Sequence, residues 1–518
     1  MKKSVNQVRV GAVMSYINIA LGSLVPMFYT PVMLKLLGQD EFGLNKLANT
    51  VTGYLSLISL GLGSAMVRYY TKYRAEGDKE GEENIFGLFR IIYGIISAAS
   101  LVVGIVLTFV SAPIYQGSLQ GSSLFGISKV VELQILVFLL TIQTAICFFS
   151  APYTSVITSH ERFVILQSIN ILSTVLAPAL NLVILYIGFG NIGTTLWGLI
   201  FTIITQIIYV IYVRKSIGLK PKYNNVPKHM LKEIFAFSFW IFIMSIIDRL
   251  YNSTDTLIIG YIPKLSTIGV AVYGIGATMS TMIGSFSTGL TGVLTPKINM
   301  LVFSGKDNKE LTDTMIRIGR LQAYIVSLLV SGFAAFGIPF FNLWVGEGYS
   351  NAYVVALAMT IPACVPLVQN VALNIIIAQN RLKFRTIVFF SIAVANVIGT
   401  VLCVNQFGII GAALVTGIAY TVGQGFVMNW YYRKKIGLEI PRFWKNVGPL
   451  FIMPSILCII TLFVQKFFAI NSWMTLLISI LVYTVIFFAF NWKVVMNNYE
   501  KDIFLNPIRK IARKFKRS

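Results

Sequence analysis

The stretch Ile203-Ile204-Thr205-Gln206-Ile207-Ile208-Tyr209-Val210-Ile211-Tyr212-Val213-Arg214-Lys215-Ser216-Ile217-Gly218-Leu219 decides the fold. Its first half closes a run from 192 to 213 that contains no charge, and then it turns abruptly basic. A helix rises about 1.5 Å per residue and a bilayer core is about 30 Å thick, so such a run is long enough to cross a membrane. It is apolar all round, which suits a helix and argues against a barrel strand with alternating faces.

Comparable runs lie at 10–34, 43–67, 88–111, 130–150, 164–187 and 235–259, and further on at 269–294, 317–338, 352–377, 386–404, 409–431, 448–466 and 473–492. With 192–213 they predict fourteen transmembrane helices in an all-α polytopic integral membrane protein. A hydrophobic fraction of 56% and a mean hydropathy of +0.76 agree with lipid as the solvent. The first run carries Pro26 and Pro31 and leads into Leu36-Leu37-Gly38, which reads as a span and not as a cleaved leader.

The basic residues give the orientation. Of 42 Lys and Arg, 36 fall at the N-terminus, after the even-numbered runs and in the C-terminal tail, and 5 after the odd-numbered ones. Positive charge stays on the cytosolic side of a bacterial cytoplasmic membrane, so both termini are expected there. The net charge of +23 is thereby a topology signal and does not call for nucleic acid. One cation is left over deep inside a run, Arg249; Lys46, counted with the outer five, and Arg90, Arg317, Arg320 and Lys466 lie within four residues of a run's end.

The opening stretch has an echo. Tyr212-Val213-Arg214-Lys215-Ser216-Ile217-Gly218-Leu219 recurs as Tyr431-Tyr432-Arg433-Lys434-Lys435-Ile436-Gly437-Leu438, and Phe189-Gly190-Asn191-Ile192-Gly193 recurs as Phe407-Gly408-Ile409-Ile410-Gly411. A parallel repeat of two six-helix lobes follows, because an even number of crossings returns the chain to the same side. The expected organisation is an N-terminal lobe at 1–213, a linker at 214–234, a C-terminal lobe at 235–432, two extra spans at 433–492 and a basic tail at 493–518. Within the tail, Ile508, Ile511 and Phe515 stand at helical spacing opposite Arg509, Lys510, Arg513, Lys514, Lys516 and Arg517. That pattern suits either a helix on anionic membrane lipids or a solvated basic end.

Several chemistries lack their residues. No Gly-rich phosphate loop with Lys-Ser/Thr occurs, and no paired acidic motif or His/Cys cluster, so neither a cofactor nor a metal is expected. His160 and His229 read as loop residues, and the dispersed Cys147, Cys364, Cys403 and Cys458 as structural thiols. A transporter needs little beyond helices and a polar cavity, and that remains open.

Charges inside a span cost free energy unless they meet a partner or a cavity. The run at 235–259 holds Asp248, Arg249, Asn252 and Asp255, and at i, i+4 and i+7 Asp248, Asn252 and Asp255 would share a face. Arg249, about 20 Å from Ile234 along a helix, is expected either to contact substrate or to form a buried ion pair. A guanidinium suits a diphosphate because its fork bonds two oxygens and its charge is permanent. Asp255, near the outer end, fits helix packing as well as a cavity, and Arg68 fits snorkelling as well as a phosphate vestibule. Among the amides, Gln143, Gln206 and Gln369 serve either as bonds between helices or as cavity lining.

Three motifs carry a resemblance. Thr30-Pro31 with Leu36-Leu37-Gly38 and Glu41-Phe42-Gly43, then Gly61-Leu62-Gly63-Ser64-Ala65-Met66-Val67-Arg68-Tyr69-Tyr70 before Glu76-Gly77-Asp78-Lys79-Glu80, and finally Asp255-Thr256-Leu257-Ile258-Ile259-Gly260, resemble the Wzx-like polysaccharide flippases of the multidrug/oligosaccharidyl-lipid/polysaccharide (MOP) exporter superfamily. The resemblance spans the chain. It implies a MATE-like fold and movement of an undecaprenyl-diphosphate-linked oligosaccharide to the outer leaflet by alternating access, for cell-surface polysaccharide biosynthesis. Arg249 is the position that best matches a cationic cavity, other polysaccharide-assembly proteins are implied partners, and the two extra helices could shape a groove for a lipid tail.

Two other readings compete. A cation-coupled drug or metabolite exporter of the same superfamily would use Asp248 or Asp255 for coupling. A membrane-embedded glycan polymerase or ligase would need a long, charged outer loop, and every expected outer loop here is short.

Overall fold

The computed structural model describes residues 2–122, 126–223, 230–292, 298, 300–302, 304, 307–379, 381–502 and 505. His229, part of the expected linker and the tail after Pro507 lie outside them. Among the described residues the only β pairing is one isolated bridge, Ser122 to Ser128.

Helices α1 (Lys2–Leu37), α2 (Gln39–Gly53), α3 (Leu62–Glu76), α4 (Lys79–Tyr115), α5 (Lys129–Ser159), α6 (Phe163–Tyr186) and α7 (Gly190–Tyr212) come first. They are followed by α8 (Met230–Asn252), α9 (Thr254–Tyr261), α10 (Ser266–Gly292), α11 (Asn308–Trp344), α12 (Ser350–Val368), α13 (Asn370–Ala378) and α14 (Leu382–Tyr420). Last are α15 (Ile440–Val447), α16 (Ile452–Val464) and α17 (Trp473–Phe490).

Thirteen helical runs among the described residues are long and apolar enough to cross a membrane. Fourteen were expected, and the difference lies in one run, Leu382–Ile436, of 55 residues. It holds both expected spans 386–404 and 409–431. At 1.5 Å per residue it would be roughly 80 Å long, far more than one crossing needs. Gly408 interrupts it with φ 60° and ψ −148°, values no helix contains.

Three other spans are broken where continuous helices were expected. Span two is α2, a 3-10 turn at Tyr54–Ser59 and α3, with Leu60 and Gly61 at φ 50° and 70°. Span seven is α8 and α9, parted at Ser253 (φ −126°, ψ −23°). Span ten is α12 and α13, parted at Gln369 (φ −99°, ψ 12°).

The echoed segments take matching local conformations. Val213–Ile217 and Tyr432–Ile436 both wind into a π-helical turn, ended by Gly218 (φ 75°) and Gly437 (φ 85°). Gly190 and Gly408 both have positive φ, 53° and 60°. The motif at 76–80 is a helix stop and start: Gly77 ends α3, and the Asp78 carboxylate caps α4 by accepting from the Gly81 amide at 2.8 Å.

The chain forms two compact units, Met1–Ile275 with Phe389–Val415 and Gly276–Val388 with Thr416–Ser518. The first packs around Leu62, Met66, Tyr70, Phe86, Phe89, Tyr153, Val156 and Ile234. The second has a cluster of Ala335, Phe336, Leu457, Leu476, Tyr483 and Phe487. In the second unit the outward faces of α16 and α17 are bare hydrocarbon: Ile459, Phe463, Met474 and Leu481 are each more than half exposed. A surface of that kind is at rest in lipid and not in water.

Candidate site on the broken helices of the first unit

The site begins with α2. Lys46, Asn49 and Gly53 stand at i, i+3 and i+7 and so share one face. Arg249 of α8 lies across the far end of that face. A Cβ at Gly53 would sit 2.9 Å from its Nη1, so the glycine is what lets the guanidinium approach the helix backbone. Lys46 and Gly53 are about 10 Å apart along the axis. Two cations therefore lie along one face of α2, Lys46 with its stem against α10 at Gly274 and Arg249 over Gly53.

Lys46 is a correction to the sequence reading, which counted it with the outer-side basic residues and left Arg249 as the one intramembrane cation. In the structure Lys46 is two turns inside α2, with its ammonium 5.6 Å from the Phe42 ring centroid. Among the described residues no carboxylate comes within 4.0 Å of either Lys46 or Arg249. The ion pair considered for Arg249 is thus not formed with a described residue.

The break after Asn252 redistributes the other candidates. Asp248 and Asn252 are exposed and bonded to each other, the amide donating to Oδ1 at 2.9 Å and to the Asp248 carbonyl at 3.1 Å. Asp255 is not on their face. It belongs to α9, is 2% exposed, and accepts hydroxyl bonds from Tyr273 at 2.5 Å and Thr400 at 3.0 Å. Arg68 is exposed over the Phe237 ring at 4.8 Å. Twelve residues of α8 separate Phe237 from Arg249, about 18 Å, so Arg68 does not join the Arg249 cluster.

Tyr54 links the two breaks. Its hydroxyl meets Thr254 Oγ1 at 2.8 Å and donates to the Arg249 carbonyl at 3.5 Å. Irregular backbone at membrane depth survives only where protein or a polar cavity satisfies it, and Tyr54, itself in the break of span two, supplies such a group to the Arg249 carbonyl beside the break of span seven. The amides read as possible cavity lining mostly join helices: Gln143 donates to Thr202 at 2.9 Å, Ser150 to Gln206 at 2.5 Å, and Gln369 to Asn429 at 2.7 Å. The cysteines are free thiols.

His160 is more than a loop residue. Its side chain is 19% exposed and its Nε2 lies 2.9 Å from the Tyr70 hydroxyl, which itself donates to Glu82 at 2.6 Å. Burial, then Arg74 and Arg162, lower its pKa to about 4, so it is neutral at physiological pH.

The second unit carries an apolar cleft of about 640 Å³ between α11, α16 and α17, lined among others by Phe336, Leu457, Ile460, Phe467, Ser479 and Tyr483. The Tyr483 hydroxyl is turned away to Ser331 at 2.7 Å.

Residues 11–302 match the family described as polysaccharide biosynthesis protein. The chain belongs to that family. A relative in the curated proteins is the uncharacterized membrane protein EpsK of Bacillus subtilis (strain 168), 22% identical over 517 residues, covering 95% of this chain and 96% of that one. Among solved structures, the lipid II flippase MurJ in an inward closed conformation aligns with a TM-score of 0.68 at 16% identity, over 94% of this chain and 100% of that one. An inward-facing multidrug resistance MATE family transporter of the MOP superfamily aligns with a TM-score of 0.52 at 15% identity, over 83% and 98%. This polysaccharide biosynthesis family member is thus an all-helical, multi-pass membrane protein with the fold of MurJ and MATE transporters.

Proposed function

We propose that the protein is a flippase that carries an undecaprenyl-diphosphate-linked oligosaccharide repeat unit from the cytosolic to the outer leaflet by alternating access, for cell-surface polysaccharide assembly. It is a transporter and not an enzyme in this reading. The observation that carries it is the pair of cations on one face of α2, Lys46 and the Arg249 guanidinium over Gly53, without a described carboxylate to neutralise them. A diphosphate is the complementary ligand, bonded by the planar fork of Arg249 and by the point charge of Lys46. The apolar cleft beside α16 and α17 in the second unit has the chemistry to hold a polyprenyl tail, by close packing, since the tail is already out of water in the bilayer.

The same reading takes the Leu382–Ile436 run as two crossings, giving fourteen spans in two parallel six-helix lobes with an added pair. It puts both termini on the cytosolic side of the bacterial cytoplasmic membrane, the basic tail on anionic lipid, and other polysaccharide-assembly proteins as partners. The test is depletion of the protein with analysis of lipid-linked glycans. Accumulation of one such glycan on the cytosolic leaflet is the expected result. Unchanged glycan pools with raised sensitivity to cationic drugs would reject the flippase.

That second outcome belongs to a cation-coupled exporter of the same superfamily. The observation favouring it is Asp255, a buried acid held by the Tyr273 and Thr400 hydroxyls. Loss of drug efflux in Asp255→Asn would mark it as the coupling group.

A further inference from the structure

The end of span twelve carries a surface ordered like a lipid molecule. Ile418, Val422, Phe426 and Trp430 are all exposed, and the next residue at the same spacing is the exposed Lys434. A step of four overshoots an α turn of about 3.6 residues, and π winding, with its longer turn, takes the excess back. The π segments Thr421–Val427 and Tyr432–Ile436 thus keep this row close to one line along the helix. Hydrocarbon gives way to an indole and then to an ammonium, the order of acyl chain, interface and headgroup.

The basic end of the row is built from two chain segments. Arg381, just before α14, donates from Nη1 to the Lys435 carbonyl at 3.0 Å, and the Tyr431 hydroxyl donates to the Arg381 carbonyl at 3.4 Å. The Phe384 ring stacks on Tyr431 with centroids 4.3 Å apart and lies 6.1 Å from the Trp430 ring. These contacts hold the exposed Arg381 and Lys383 beside the exposed Arg433, Lys434 and Lys435. Among the described residues no carboxylate lies within 4.0 Å of any of them. Glu439, the nearest acid along the chain, is bonded to Arg442 at 2.9 Å. Orientation in the membrane needs only that each loop be basic. Drawing the cations of two loops together adds repulsion, which an anion seated among them relieves.

We propose that this surface binds the headgroup phosphate of an anionic phospholipid of the cytosolic leaflet, its acyl chains lying along Phe426 and Val422. The occupant is a lipid of the surrounding membrane and not the transported molecule, so the site is independent of Arg249 and of the function proposed above. Arg381 brings a fork whose Nε and Nη2 hydrogens no described residue accepts, and Lys434 and Lys435 bring point charges.

Quenching of Trp430 by brominated lipid tests this on the full chain in phosphatidylcholine vesicles. The Trp430 signal is the difference between each protein and the same protein carrying Trp430→Phe. In the wild type, brominated phosphatidylglycerol should quench it at about a fivefold lower mole fraction than brominated phosphatidylcholine, the gain that one cation near a membrane surface supplies. The triple variant Arg381→Gln, Lys434→Gln, Lys435→Gln should lose this preference, and Lys434→Gln alone, the second variant should the triple not fold, should weaken it. Equal quenching by the two lipids in the wild type would overturn the proposal, as would an unchanged preference in a folded variant. Relief of the phosphatidylglycerol effect by inorganic phosphate at constant ionic strength would also overturn it, since the occupant would then be a free anion.

Discussion

Tyr54 and Thr254 join two interrupted helices, hydroxyl to hydroxyl at 2.8 Å, across 200 residues of chain. Tyr54 opens the 3-10 turn that splits span two, and Thr254 starts the short helix after the break in span seven. Tyr54→Phe keeps the ring and removes the link. It should lower thermal stability by about 1 kcal/mol, the usual loss for one hydrogen bond, and slow transport beyond that as Arg249 loses its anchored carbonyl. Unfolding curves beside transport rates separate the two effects.

Arg249→Ala should leave the protein folded and cut transport of a diphosphate-linked lipid about tenfold or more, as removal of a charge-assisted, forked contact does. Arg249→Lys should restore part of it, and Lys46→Ala should cost less. Flipping of a fluorescent lipid-linked glycan in vesicles measures all of these. Full activity in Arg249→Ala would remove this residue from the site.

Gly43 is the most demanding position in the Glu41-Phe42-Gly43 motif. A Cβ there would fall 1.8 Å from the Thr267 carbonyl oxygen, and backbone cannot swing aside as a side chain does. Gly43→Ala should destabilise by about 3 kcal/mol, the upper end for overpacking. Gly94→Ala, where a Cβ meets nothing within 4 Å, is the control and should be neutral or mildly stabilising. Thermal unfolding in detergent compares them.

Half-buried Arg320 and buried Glu500 tie α11 to the segment after α17, with Nε to Oε1 at 2.5 Å and Glu500 2% exposed. Glu500→Ala should lower stability by about 2 kcal/mol, the loss of a charge-assisted contact, since Arg320 is partly exposed and keeps the Asn446 and Val495 carbonyls. Loss of folded yield on size-exclusion chromatography is the readout.

His160 makes stability pH-dependent. Its folded value, about 4, lies below the ordinary 6.5, so the unfolded chain binds the proton more readily. The contribution is complete above pH 6.5 and is lost as pH falls from there towards 4. His160→Gln should flatten the stability profile across that interval.

Much of this architecture was legible along the chain, because the requirement for crossing lipid is local. A run such as 192–213 is apolar for long enough by itself, and Arg214-Lys215 beyond it needs no partner to hold it in water. Arg249 stood out for the same reason, as a charge within an apolar run.

The contacts were not legible, because they join residues that no periodicity relates. Asp248, Asn252 and Asp255 share a helical phase in the sequence, yet one residue, Ser253, leaves that phase and sends Asp255 to Tyr273 and Thr400. Lys46 looked like a loop cation until Gly53, seven residues on, proved to be where Arg249 crosses α2. The sequence alone determined that this protein is a bundle of membrane helices, since burial of backbone polar groups in lipid permits little else. Tertiary structure alone decided which helices break and which polar groups meet, since those bonds lie between segments distant in the chain.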